Sequence, residues 1–342
     1  MHRVVLALAL ILLLSPRLQA QAPFYQGKTI KFVAGYGAGS VDDMWARLVA
    51  QYMAKYIPGN PNIVVQNMAG ASSVIAANYV YSVAKPDGLT LGGIRAGLYF
   101  DQLIGRKEVQ FDWPKFVWVG SPTQSNLLLY MRASAPYKTI YDVRKASEPP
   151  KCGSTGTASA SYIATSLLEE TLGAKFNSIT GYRDGPEIDL AVEKGEIHCR
   201  AVTHETFFAR EPFLTWRKNG LVRVLVQTGT KRDPRIPEVP TIHELMNELK
   251  TSETSRRLAT VILASGVFGR PMIATPGIQP DRVKMLQAAF MKALADSELL
   301  TEAKNRKLDV DPTEAKELEV LAREVMTQPP DVIERLKQVL GN

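Results

Sequence analysis

From Lys28 onward the chain alternates short apolar, β-branched runs with stretches of helical period. "TIKFVAGY" reads as a strand, and behind it Trp45, Leu48, Val49, Tyr52, Met53, Tyr56 and Ile57 recur three and four apart, the spacing of one helix face. "NIVVQNM" is a second strand, "SSVIAANYVYSVA" a second helix, and the turn "KPDG" leads into a third strand, "LTLGGI". With right-handed crossovers this series makes one side of a doubly wound α/β sheet.

"FVWVGSP" and "NLLLYMRA" then carry the chain in extended form, and near Lys151 the rhythm restarts. "KCGSTGTASASYIATSLLEETLG" is strand, polar glycine turn and helix; "KFNSITGYRDGPEIDLAVEKG" repeats the unit, and "EIHCRAVT" is a third strand. Two similar modules are therefore expected, joined by extended segments. Between Leu221 and Pro276, "LVRVLVQTG" and "GVFGRPMIA" predict further strands on the way back. Beyond Pro280 the period is helical, through Val283, Leu286, Phe290 and Leu294, then "TEAKELEVLAREVM" and "PPDVIERLKQVL". These amphipathic faces need cover, and the first module is the expected partner.

Composition changes this picture in three places. Arg3 precedes an apolar run from Val4 to Leu14, then Ser15-Pro16 and a small-residue stretch ending Ala20-Gln21-Ala22, so residues 1–22 are expected to be a secretory leader cut after Ala22. The run is too short to span a hydrocarbon core of ~30 Å. The remaining chain exceeds the size at which one core stops growing, so two domains are expected. Finally, the formal net charge of +7 includes Arg3 and Arg17 of the leader and is spread along the chain. A nucleic-acid partner would require a concentrated basic face, so none is expected.

Candidate chemistry begins at "GYGAGSVDD". The dinucleotide spacing G-x-G-x-x-G fails from Gly35, where Ser40 occupies the third position, and from Gly37, where Asp42 does. No Gly-Lys-Ser/Thr follows to make a P-loop. What survives is a small-residue turn offering free amides at a helix N-terminus, a site for a carboxylate as much as for a phosphate. The alternative is a plain strand-to-helix turn capped by Asp42 or Asp43. "GSTGTASAS" repeats the device in the second module with Ser154, Thr155, Thr157 and Ser159, and "NMAGASSV" adds a third loop. Ligands of open α/β sheets sit outside the carboxyl ends of strands, so two such modules face to face would form a small-anion clamp.

Catalysis finds less support. Ser154 and Ser159 do not stand in G-x-S-x-G and have no nominated base. His198, His204 and His243 lack metal spacing, and no cofactor is expected. Cys152 and Cys199, the only cysteines, fall on the first and third strands of the second module, adjacent in a 2-1-3 order. Adjacent parallel strands often hold cysteines in unsuitable geometry, so two buried free thiols are expected, with a disulfide as the alternative in an oxidising compartment.

In these stretches the chain resembles the periplasmic solute-binding receptors of tripartite tricarboxylate transporters, the Bug family. "VAGYGAGSVDDMWARLVA" stands where that family has a strand, a glycine-rich turn, an Asp and an "AR" helix. "QNMAGASSVIAANY" matches its "ENRPGAGG"-like loop, and "AKPDGLTL" its "APDGYTL". "GSTGTASASY", "GYRDGPEIDLAVEKGEIH" and "IPEVPT" match three later motifs in the same order.

The resemblance implies a type II periplasmic-binding-protein fold: two doubly wound α/β lobes joined by extended hinge segments, with the C-terminal helices on lobe 1. Lobe 1 would comprise 23–124 and 229–342, lobe 2 residues 125–228. It further implies a non-catalytic monomer in the periplasm that closes on a small carboxylate and presents it to membrane permease subunits. Carried over by position, the ligand residues are Tyr36, Gly37, Ala38, Gly39, Ser40 and Asp43 of the first loop, with Ala71 and Ser72 beside them. Lobe 2 would add Ser154, Thr155, Thr157, Ser159, Tyr182, Arg183, Thr203 and His204. Departures are Ser40 and Val41 in place of glycine, and Arg95, which either grips a ligand carboxylate bidentately or forms an ordinary ion pair. A ligand sensor, or an exported hydrolase using Ser154 or Ser159, are the competing functions.

Overall fold

The computed structural model describes residues 22–157 and 159–340. The segment expected to be a leader lies, apart from Ala22, outside the described residues. The first half runs β1 (Thr29–Ala34), α1 (Val41–Met53), β2 (Asn62–Asn67), α2 (Val74–Asn78), β3 (Thr90–Gly93), α3 (Leu98–Leu103) and β4 (Val117–Ser121). Then come β5 (Leu127–Arg132), α4 (Ile140–Lys145), β6 (Lys151–Gly153), α5 (Ala160–Leu172), β7 (Asn177–Ile179) and α6 (Gly185–Lys194). These are followed by β8 (Cys199–Thr203), α7 (His204–Ala209), α8 (Phe213–Lys218), β9 (Val222–Gln227), α9 (Ile242–Glu248) and α10 (Glu253–Phe268). The chain ends in β10 (Met272–Ala274), α11 (Pro280–Leu294), α12 (Ser297–Asn305), β11 (Thr313–Glu314), α13 (Ala315–Met326) and α14 (Pro330–Leu340).

The strands form two sheets, ordered β11-β4-β10-β3-β1-β2 and β7-β6-β8-β5-β9. Each contains a parallel trio in 2-1-3 order, β2-β1-β3 and β7-β6-β8. The strands that take the chain between the sheets, β4 and β5, together with β10, pair antiparallel to their neighbours. Each sheet is therefore mixed rather than wholly parallel, because a segment arriving from the other sheet enters against the grain of the trio.

Local sequence explains the positioning elements. Helix α1 buries Trp45, Leu48, Val49, Tyr52 and Met53 on one side, and Ser40 caps it by accepting from the Asp43 amide at 3.2 Å. Helix α11 packs on α1 and β4, and α13 on β4 and α10. The last helix, α14, lies on α10 and also meets α5 of the second sheet, where Arg335 pairs with Glu170.

Two expectations are corrected here. "GVFGRPMIA" is not one strand: Gly266–Phe268 close the 16-residue helix α10, and only Met272–Ala274 are extended. The β-branched residues in "ATVILASGV" resemble a strand locally, but Leu258, Val261, Ile262 and Phe268 are buried at helical spacing. Phe268 stacks on Trp118 of β4 with ring centroids 5.2 Å apart, a long-range contact that local sequence does not reveal. Secondly, Cys152 and Cys199 are joined as a disulfide, not held as free thiols. They are direct partners in the parallel β6–β8 register with Cα atoms 4.5 Å apart, inside the range a disulfide spans.

Candidate functional site

Between the sheets lies a cavity of about 630 Å³, a size suited to a small organic ligand. Tyr36, Asp42, Ser72 and Arg95 line it from the first sheet's loops. Ala160, Ile163 and Leu167 of α5 and Thr203 line it from the second, while Ser125, Thr228 and Arg270 come from the connecting segments.

The first-sheet loops are organised from within. Burial pushes the Asp43 carboxyl up, but bonds from Arg47 at 3.0 Å, Asn67 at 2.7 Å and the Gly39 amide at 2.8 Å outweigh it and hold the group below the usual range. Asp43 is thus consumed in shaping the turn, and its neighbour Asp42 is the acid that reaches the cavity. Gly37, Ala38 and Gly39 form the exposed crest of the turn, with Gly39 at φ +78°, and Ser40 is spent on capping. None of these four lines the cavity. Tyr36 is buried, its phenol donates to the Ile94 carbonyl at 3.4 Å, and burial pushes its pKa up, so it stays a neutral donor. Ala71, Ser72 and Ser73 all have positive φ, 42°, 52° and 80°, a strained run held by the Ser73 hydroxyl bonding to the Gly35 carbonyl at 2.7 Å. Of this run only Ser72 faces the cavity.

The second sheet contributes differently from expectation. Ser154 is buried, Thr155 and Thr157 are exposed, and Ser159 caps α5 while donating to the Gly156 carbonyl at 2.7 Å. None of these hydroxyl residues lines the cavity, because the turn folds onto its own backbone, and the wall is instead the α5 face beginning at Ala160. Tyr182 packs on the core beside α6, and Arg183 is solvent-exposed and paired with Asp184 at 3.2 Å, so neither lines the cavity. Thr203 does line it. His204 does not: its Nδ1 lies 2.9 Å from Asp233, and burial keeps the imidazole below its ordinary pKa. Neither Ser154 nor Ser159 has a histidine as hydrogen-bond partner among the described residues.

The feature that sequence reasoning missed is Arg270. Its Nε donates to Asp42 at 3.0 Å and its Nη2 to Glu205 at 3.0 Å, joining α1 and α7 through the segment after α10. Arg270 Nη1 and Glu205 Oε1 are buried without a hydrogen-bond partner among the described residues. The only hint in the sequence was a charged residue before Pro271 in the misread "FGRP". Nearby, Arg106 pairs with Asp101 at 3.2 Å. Arg95 is exposed and has no carboxylate within ion-pair distance among the described residues, so the ordinary ion pair weighed for it does not form.

Two mixed α/β sheets flanking a cleft make a two-lobed fold, and solved solute-binding proteins share it. A TctC solute-binding protein from Polaromonas, solved with no ligand, overlays with a TM-score of 0.73 at 21% identity, covering 93% of this chain and 99% of that one. MatC from Rhodopseudomonas palustris, solved with malate, overlays with a TM-score of 0.56 at 22% identity over 92% of this chain and 99% of its own. The chain belongs to the tripartite tricarboxylate transporter receptor family, whose model matches residues 45–337. It is 29% identical over 281 residues to the UPF0065 protein in the gbd 5' region of Cupriavidus necator, 81% of this chain and 77% of that protein.

Proposed function

We propose that the chain is an exported, monomeric receptor that captures a small carboxylate in the periplasm and hands it to the membrane subunits of a tripartite transporter. The observation that carries this reading is Arg95, a guanidinium lining the cleft without a carboxylate partner among the described residues. Tyr36, Ser72 and Thr203 line the same cavity; the Tyr36 phenol already donates to the Ile94 carbonyl and the Thr203 hydroxyl to that of Thr206, which leaves Ser72 as the hydroxyl of the three without a bond among the described residues. Helix α5 begins at its wall with Ala160, and α1 brings its first turn there through Asp42, so two helix N-termini add partial positive charge. Among the described residues no helix is long and apolar enough to cross a membrane.

The lobes proposed are 23–124 with 229–342, and 125–228, turning about the connections 122–126 and 228–241. Closure on a ligand would then be read by the permease subunits as a conformational signal. Calorimetry of the leaderless chain against carboxylic acids tests the proposal. Binding that falls at least tenfold in Arg95→Ala supports it, since a charge-assisted bond contributes roughly 1.5–3 kcal/mol. Undiminished affinity in that variant would remove Arg95 from the site.

A further inference from the structure

Much of the cavity is hydrocarbon. Away from Arg95 the apolar part of its wall is made by Phe100 of α3 and Ile104 just after it, Ile163 and Leu167 of α5, and Ile262 and Leu263 of α10. Its charged groups largely cancel: Arg106 is answered by Asp101, and Arg270 by both Asp42 and Glu205. Among the described residues lining the cavity one guanidinium, Arg95, is left to meet an anion, and it stands near the buried Tyr36. A second or third ligand carboxylate would find no free cation on this wall among the described residues and would have to be desolvated against Ile262 and Leu263, or compete with Asp42 and Glu205 for Arg270.

We infer that the ligand is a monocarboxylate with an extended apolar body, a medium-chain or aryl-substituted acid, whose head meets Arg95 and whose body lies between α3, α5 and α10. This rests on the carboxylate-receptor reading and narrows it. The cavity of about 630 Å³ holds more than a four-carbon acid, and beside the hydroxyls of Ser125, Thr228 and Ser265 its wall between α3, α5 and α10 is built of apolar side chains. The orphaned Glu205 Oε1 and Arg270 Nη1 lie in the triad at the polar end, where ordered water can satisfy them.

The test is calorimetric titration of the leaderless chain with linear monocarboxylates from butanoate to decanoate, phenylalkanoates, the α,ω-diacids of matching length, malate and citrate. Affinity is expected to rise roughly three- to fourfold per added methylene until the cavity is filled. Each diacid is expected to bind at least about tenfold more weakly than the monoacid of equal length. Leu263→Arg, at a partly exposed position, should reverse the preference toward diacids, while Phe100→Ala should flatten the chain-length dependence without abolishing binding of the short acids. If malate, citrate or a short diacid binds more tightly than every monoacid, the inference fails and the receptor reading stands. If none of these acids binds, both fall.

Discussion

Arg270 and Glu205 meet across the cleft with Nη2 and Oε2 3.0 Å apart. Glu205 stands in the first turn of α7, beside the second sheet, whereas Arg270 enters β10 of the first. The same guanidinium holds Asp42, so one side chain ties together three segments.

Removing Glu205 should therefore loosen the two lobes. In Glu205→Ala the ligand-free protein is expected to have a larger radius of gyration by small-angle X-ray scattering than the parent, with the difference vanishing when ligand is added. An unchanged ligand-free profile would show that the pair does not govern closure. Arg270→Ala should be costlier, on the order of 2 kcal/mol in urea unfolding, because it strands two largely buried carboxylates.

The disulfide gives a second prediction. Cys152 and Cys199 are separated by 47 residues, and closing a loop of that length restrains the unfolded chain by about 4 kcal/mol in the entropy model. The oxidised protein, unfolded without reductant, should present no reactive thiol to a disulfide reagent. The double variant Cys152→Ala/Cys199→Ala should lose about 2–4 kcal/mol, measured by denaturant titration. Two free thiols in freshly exported protein would contradict the pairing.

Acid should weaken the fold in two stages. His198, His204 and His243 are all held below 6.5, in each case first by burial, which disfavours the charged ring. Their contribution is complete above 6.5 and declines as the pH falls beneath it, because the unfolded chain takes up protons more readily. Asp233 is lowered to about 2: burial pushes it up, but bonds from Arg235 and His204 prevail. Its stabilisation is complete above the ordinary 3.8, is lost as the pH falls through about 2, and is worth on the order of 2 kcal/mol. Urea midpoints from pH 7 to 2 should show both declines, and Asp233→Asn should reduce the lower one, leaving the part contributed by Asp43 and the other depressed carboxyls.

Gly269 supplies a fourth test. It ends α10 at φ +55°, and a methyl there would collide with the Thr123 carbonyl of the neighbouring connection. Gly269→Ala is expected to destabilise by at least about 1–3 kcal/mol and to disturb ligand affinity, since both connecting segments must part. A variant with parental melting temperature and affinity would show that the contact is easily relaxed.

The legibility of the sequence followed the range of the forces involved. Both 2-1-3 trios were readable because β1, β6 and their helices carry their period within a few residues. The end of helix α10 was not, since "GVFGRPMIA" reads as one strand whereas its first three residues close the helix, where Phe268 packs on Trp118, 150 positions away in the chain. Arg95 could be found because it is a charge directly after a strand end. The Asp42–Arg270–Glu205 triad could not, because its members are brought together only by folding. The hydroxyls of "GSTGTASAS" misled for the opposite reason: short polar side chains bond their own backbone as readily as a ligand, and Ser159 does so.

The final helix sets a limit on motion. α14 rests on α10 and is also fastened to α5 through Arg335 and Glu170, so it bridges the two halves of the molecule. Leu340 near its end forms part of the cavity wall. On the lobe division proposed above, such a brace would confine opening to the side away from α14 and keep the wall around Leu340 closed, so solute would enter opposite it.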